Sequence, residues 1–270
     1  FRSFTIIGNP IDYSNMSIII LSILIAAWQN NIVVFLGKKM QITLIILLMV
    51  SLFMSGSRGP IISFLFSILI FYNFVNKNSI GLTNLRISFV SIAIVLFYVF
   101  FESLTRFNLL NFDLNADRGY REAWFLKSLE IFFDNFYFGV GPGMFGGWVS
   151  INYFQSPIYD LYNISTGGIS SIDMFFPHLL AELGIFGFLC YCLFLFSPLK
   201  KSLKFYRKSK EKIDLFISSI IILLIPMILI IGITSISLET QLILSLMFVL
   251  LALAENHFSL KNEYYTGISN

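Results

Sequence analysis

Three places in the chain combine residue types and spacing that could do chemistry. In SGSRGP (55–60), Arg58 stands between Gly56 and Gly59 just ahead of an apolar run. Pro60 suits the first turn of a helix, so Arg58 is expected beside a helix N-terminus, where free N–H groups and the macrodipole favour an anion. The plainer alternative is an arginine snorkelling to lipid phosphates. The two glycines are read as leaving room for close backbone approach. In IDMFFPHLLAELGIFG (172–187), Pro177 is expected to open a second helix, and His178 and Glu182, four residues apart, share one of its faces. A histidine suits general-base work near neutral pH. A carboxylate at membrane depth is costly unless it faces a bundle interior or a water-filled cavity, which marks Glu182 as a functional candidate. The alternative is a His–Glu pair whose members satisfy each other. Gly184 and Gly187 are read as places of close helix packing. Third, Arg118 and Arg121 are three apart and share a helix face. Either could clamp a phosphate or carboxylate, bind lipid headgroups, or pair with Asp117 and Glu122. Asp160 and Asp173 are carboxylates without partners at ligand spacing, so no metal is expected. Walker, HExxH, CxxC and GxSxG motifs are absent, which leaves nucleotide hydrolysis and zinc chemistry without support.

The elements that must hold these residues belong to a membrane protein. Of 270 residues, 57% are hydrophobic and 12% charged, and the mean hydropathy is +0.81. Soluble domains run at about 45–50% apolar and 25% charged, so a soluble globular protein is excluded. A net charge of +3 spread over so much apolar sequence does not suit nucleic-acid binding. Apolar runs near 17–36, 41–54, 60–75, 87–102, 177–197, 214–236 and 240–254 give an expectation of about seven membrane spans in an all-α polytopic bundle. Backbone polar groups must be satisfied within each span, so these Ile/Leu/Phe-rich runs should be helices. Cys190 and Cys192 would point about 200° apart on a helix and read as packing residues.

Basic residues set the orientation, because short cytoplasmic loops are enriched in them. The segment 198–213 carries Lys200, Lys201, Lys204, Arg207, Lys208, Lys210 and Lys212 and reads as a solvated cytoplasmic loop. Counting spans from it puts twelve of the eighteen Lys and Arg residues inside and Arg58, Arg118 and Arg121 outside. The chain is read as one integral membrane domain, 1–270, with residues 103–172 as a large external loop within it. Loops longer than about 12–15 residues are usually functional or disordered. Here Tyr120, Trp124, Phe125, Leu129, Phe132, Phe133 and Phe136 recur at helical spacing, which predicts an amphipathic helix lying at the interface or over the bundle. The glycine-rich FGVGPGMFGG (138–147) ends it with tight reversals. Trp148, Tyr153, Tyr159 and Tyr162 could stack on sugar faces or anchor the loop at the interface.

Taken in order, SGSRGP, the R-xx-W string REAW (121–124) with GVGPG (139–143), and LLAELGIFGF (179–188) resemble the O-antigen polymerase and O-antigen ligase family of bacterial inner-membrane glycosyltransferases. GNPIDYSNMS (8–17) is similar to the family's stretch ahead of a span. The resemblance covers most of the chain and implies that several N-terminal helices are missing from it. It implies a metal-independent transfer of a glycan from an undecaprenyl-diphosphate carrier at the outer face of the cytoplasmic membrane, with no cofactor. Arg58, Arg121 and His178 would be the catalytic residues, with Arg118, Glu182 and Asp173 binding substrate. The family often has its His about nine residues before the Glu, where this chain has Asp173, so the base role stays open between His178, Asp173 and a residue not identified from the strings. The partners implied are the lipid-linked glycan, membrane lipid, a chain-length regulator and a flippase. A polymerase of lipid-linked repeat units is the leading expectation and a ligase of the same family its rival. A solute transporter is the rival from another class, but it would place charged sites near the midplane and often show internal repeats, neither of which is seen.

Overall fold

The computed structural model describes residues 10–33, 37–75, 117–147, 150–151, 156–164, 174–235, 238 and 241–266. Among the described residues there is no strand. The helices are α1 (Pro10–Gln29), α2 (Lys38–Met54), α3 (Arg58–Val75), α4 (Asp117–Asp134), α5 (Pro157–Leu161), α6 (Phe175–Lys208), α7 (Lys212–Thr234) and α8 (Gln241–Thr266). The apolar runs coincide with α1, α2, α3, α6, α7 and α8, while the run at 87–102 lies outside the described residues. Among the described residues, four helices are long and apolar enough to cross a bilayer: Pro10–Gln29, Phe175–Lys208, Lys212–Ile233 and Leu242–Lys261.

Several boundaries differ from the sequence expectation. α1 starts at Pro10 rather than near residue 17: Ser14 and Ser17 bond back to the carbonyls of Pro10 and Tyr13, at 2.7 and 2.8 Å, so these two hydroxyls are satisfied within the helix. It stops at Gln29, short of residue 36. Asn31 takes a left-handed φ of 54°, and the Ile32 N–H reaches the Ala27 carbonyl at 2.9 Å, an arrangement that closes a helix C-terminus. The basic segment expected as a solvated loop is helical as far as Lys208, since its Leu, Lys and Arg residues are good helix formers.

The contacts group the chain into two compact units. The first comprises Phe1–Glu102, Leu195–Ile231 and Glu239–Asn270. Here α1 packs against α2, α3 and α8. Phe71, Ile222 and Leu223 form an apolar centre, onto which Ile25, Ile68, Leu199, Leu203 and Tyr206 pack. Polar side chains tie the helices at fixed heights: Gln41 Nε2 donates to the Leu24 carbonyl at 3.0 Å, and Asn30 Nδ2 to Ser219 Oγ at 3.2 Å. Asp214, its side chain fully buried, accepts from Ser209 Oγ at 2.6 Å and Lys261 Nζ at 2.8 Å, and lies 2.7 Å from His257 Nε2. Lys261 also pairs with Glu211, so one carboxylate joins the start of α7 to the far end of α8.

The second unit comprises Ser103–Phe194 and Gly232–Leu238. Its core is Trp124, Ile131, Phe145, Ile151, Tyr159, Tyr162 and Ala181. The amphipathic helix is present as α4, but its apolar face divides. Trp124, Ser128 and Ile131 turn inward on one stripe, whereas Phe125, Leu126 and Phe133 are exposed, because the run of large apolar residues is wider than one helix face can bury.

Replacing Asp214 by alanine strands His257 and Lys261 beside an empty site and is expected to cost about 2–4 kcal/mol. The check is a lowered thermal midpoint of the detergent-solubilised protein; an unchanged midpoint would remove the network from the stabilising contacts.

Candidate functional site

The start of α6 is a helix that breaks and is repaired by a loop. In an uninterrupted helix the Ile185 and Phe186 N–H groups would bond to the carbonyls of Ala181 and Glu182. Gly184 instead takes φ 62° and ψ −166°, and the ladder opens at that point. The freed carbonyls accept from the glycine-rich turn after α4: Val140 N–H donates to Ala181 O at 3.0 Å, and Gly141 N–H to Glu182 O at 2.9 Å. In return Ile185 N–H donates to Phe136 O at 2.8 Å and Phe186 N–H to Tyr137 O at 3.3 Å. Two carbonyls and two N–H groups beside the break thus find partners in the loop, as burial requires. Such contact demands glycine on both sides. A Cβ on Gly139, at φ 66°, would run into the carbonyl group of Glu182, and one on Gly184 would run into that of Tyr137. The close packing expected at Gly184 is therefore met by a loop backbone, not by another helix.

This splice carries His178 and Glu182. Both are buried, at 4% and 8% exposure. His178 Nε2 lies 3.1 Å from Glu182 Oε1, as the four-residue spacing on one face anticipates. The same Oε1 accepts the Phe145 N–H at 2.9 Å, so the carboxylate binds the loop as well as the imidazole. The Phe145 ring stands edge-on to the His178 ring at 6.4 Å. Gly147 completes this wall: a Cβ there would come within 3.9 Å of His178 Cε1.

Behind the loop, Tyr159 acts as a clamp. Its hydroxyl accepts the Gly146 N–H at 2.9 Å and lies 2.7 Å from Ser150 Oγ, while its ring packs on Trp124 and Phe145. Burial pushes the Tyr159 phenol above its ordinary range, so it is neutral throughout the physiological range. Tyr162 ties the loop to α4: its hydroxyl donates to Asp134 Oδ2 at 3.1 Å and accepts from Asn135 Nδ2 at 3.2 Å. Burial and the neighbouring Asp134 carboxylate push this phenol up too. Tyr159 and Tyr162, both buried with Trp124 and Phe145, thus form the interior of the loop rather than open platforms for sugars. Trp148, Tyr153 and Asp173 lie outside the described residues.

Arg58 is the first residue of α3, in the first unit, and is exposed, as its placement before Pro60 anticipates. The turn ahead of it is tied down by serines: Ser14 Oγ and Ser55 Oγ lie 2.7 Å apart, and Ser55 Oγ accepts the Ser57 N–H at 3.2 Å. Gly56, read as a place of close approach, serves a different need. A Cβ there would have open space around it, but the turn requires its left-handed φ of 64°. Arg118 and Arg121 belong to the first turns of α4; their side chains lie outside the described residues. Among the described residues no cluster of His, Cys, Asp or Glu is arranged to hold a metal. Sequence reasoning missed the Tyr159 clamp and the role of Phe145. It noted the glycines of GVGPG and AELG, but nothing in the spacing says that the two strings meet.

A family model described as O-antigen ligase matches residues 42–192, more than half of the chain. The matched stretch contains Arg58, Arg118, Arg121, Asp173, His178 and Glu182 together with both halves of the splice. No curated protein matches the chain.

The splice separates three glycines by what surrounds them. Gly139→Ala and Gly184→Ala should each abolish stable folding of this unit, because a Cβ would displace backbone. Gly143→Ala, with positive φ but open space, should cost only about 1–2 kcal/mol. Thermal unfolding and protein yield of the three variants measure the contrast. Glu182→Gln keeps an acceptor for the Phe145 N–H and should fold normally, whereas Glu182→Ala should lower the midpoint by the equivalent of about 1–3 kcal/mol.

Proposed function

Because this chain belongs to the O-antigen ligase family, we propose that it is a membrane glycosyltransferase that joins undecaprenyl-diphosphate-linked oligosaccharide repeat units into a surface polysaccharide, O-antigen or capsule. The transfer takes place at the outer face of the bacterial cytoplasmic membrane, with the seven apolar runs as spans and residues 103–172 outside. The observation that carries this reading is the buried His178–Glu182 pair, held against the glycine-rich loop by the Phe145 N–H. It supplies a proton acceptor whose ring is fixed by a carboxylate on the same helix.

The chemistry requires two things. A hydroxyl of the acceptor sugar attacks the anomeric carbon of the donor, forming the new glycosidic C–O bond and giving up its proton; His178 is assigned to receive it. The bond from that carbon to the diphosphate breaks, and the carrier diphosphate leaves with the electron pair. Positive groups that meet this developing charge lower the barrier. Arg58, at a helix N-terminus where the macrodipole adds to its charge, and Arg121 are assigned to the diphosphate. Arg118 and Asp173 are assigned to substrate binding, and Glu182 to holding His178. Lipid-linked glycan is the substrate; a chain-length regulator and a flippase are the partners this pathway position calls for.

A second reading, transfer of a finished glycan to a different acceptor, is favoured by the description of the matched family as O-antigen ligase. Incubating membranes with lipid-linked repeat units alone separates the two, since a ladder of products without added acceptor requires a polymerase. In that assay Arg58→Ala and Arg121→Ala are expected to abolish extension at unchanged protein level, and Arg58→Lys to be impaired through loss of bidentate contact. His178→Ala should lose about 100-fold or more. Retained activity in His178→Ala, with loss in Asp173→Asn, would move the base role to Asp173.

A further inference from the structure

The last three turns of α6 carry a feature that glycosyl transfer does not use. On one side of this segment Leu195, Ser202 and Phe205 are buried. On the other, Phe196, Leu199, Lys200, Leu203, Lys204, Arg207 and Lys208 recur at helical spacing and line a groove of about 610 Å³. Its near part is apolar, through Phe196, Leu199 and Leu203, and its far part carries four cationic side chains; among these lining residues none is acidic. Lys201, which is not on this stripe, instead pairs with Glu255 and Ser259 of α8. One lysine of the run is thus used for helix pairing, while the groove concentrates positive charge at the end of an apolar helix face.

We propose that this groove binds an anionic phospholipid of the surrounding bilayer, with an acyl chain along Phe196, Leu199 and Leu203 and the phosphate headgroup among Lys200, Lys204, Arg207 and Lys208. The charge pattern selects this occupant. Clustered cations next to a membrane-spanning helix attract anionic headgroups, and the aliphatic stems of lysine and arginine extend the apolar wall to the depth of the phosphate. A zwitterionic lipid carries no net negative charge to meet Lys200, Lys204 and Lys208. The proposal is independent of the transfer reaction.

The test uses the full chain in phosphatidylcholine nanodiscs with and without phosphatidylglycerol, counting retained lipid by native mass spectrometry. The groove variant Lys200→Gln/Lys204→Gln/Lys208→Gln should bind phosphatidylglycerol roughly tenfold more weakly or worse. The control Lys38→Gln/Lys39→Gln/Lys210→Gln, which removes the same charge elsewhere, should bind as the unmodified chain does. Soluble glycerol phosphate should not displace the lipid. Equal weakening in both triple variants, unweakened binding in the groove variant, or displacement by glycerol phosphate would each overturn the proposal. If the groove variant loses its thermal transition in phosphatidylcholine, Lys204→Gln alone replaces it, with an expected weakening of about fivefold.

Discussion

The second unit depends on an exchange of backbone hydrogen bonds between a broken helix and a turn. Gly184 opens the ladder of α6, and residues 136–141 close it by accepting two N–H groups and donating two. A buried break in a helix would ordinarily leave several polar groups unpaired, a cost that no local side chain in the AELGIFG string could offset. The loop supplies two donors and two acceptors to it. The break and the turn are therefore one object, and neither conformation makes sense without the other.

The placement of Glu182 beside His178 follows from that object. Glu182 sits at the break: its carbonyl accepts from Gly141 while its side chain accepts from Phe145. The residue beside the imidazole is thus fixed from both its backbone and its carboxylate. The surrounding loop is held by Tyr159 and Tyr162, whose hydroxyls occupy polar positions inside an otherwise apolar core. The His178–Glu182 pair is thus held by a loop whose own positions are fixed.

The first unit solves a different problem with the same logic. Its long apolar helices could slide along one another if only Leu and Ile met. Gln41 on the Leu24 carbonyl, Asn30 on Ser219, Ser14 on Ser55 and the Asp214 network set their register at discrete points. The serine pair at 14 and 55 also fixes the turn from which Arg58 projects, so the placement of that charge depends on α1 as much as on its own string.

Helix positions were legible in the sequence because their cause is local: a bilayer requires long apolar runs, and only helices satisfy their backbone within one segment. Arg58 at a helix start and His178 beside Glu182 were legible for the same reason, since a proline in the first turn and a spacing of four act through neighbouring residues. The extension of α1 back to Pro10, the continuation of α6 through the basic run and the division of the α4 face were not, because serine back-bonding, helix propensity and burial override hydropathy at boundaries. The sequence by itself determined the helices, their apolar character and the strings that carry the family likeness. Only the tertiary structure decided that GVGPG and AELG interlock and that Tyr159 locks the loop behind them. These are contacts between residues tens of positions apart, and backbone groups carry no side-chain signature by which a spacing could announce which partner they will meet.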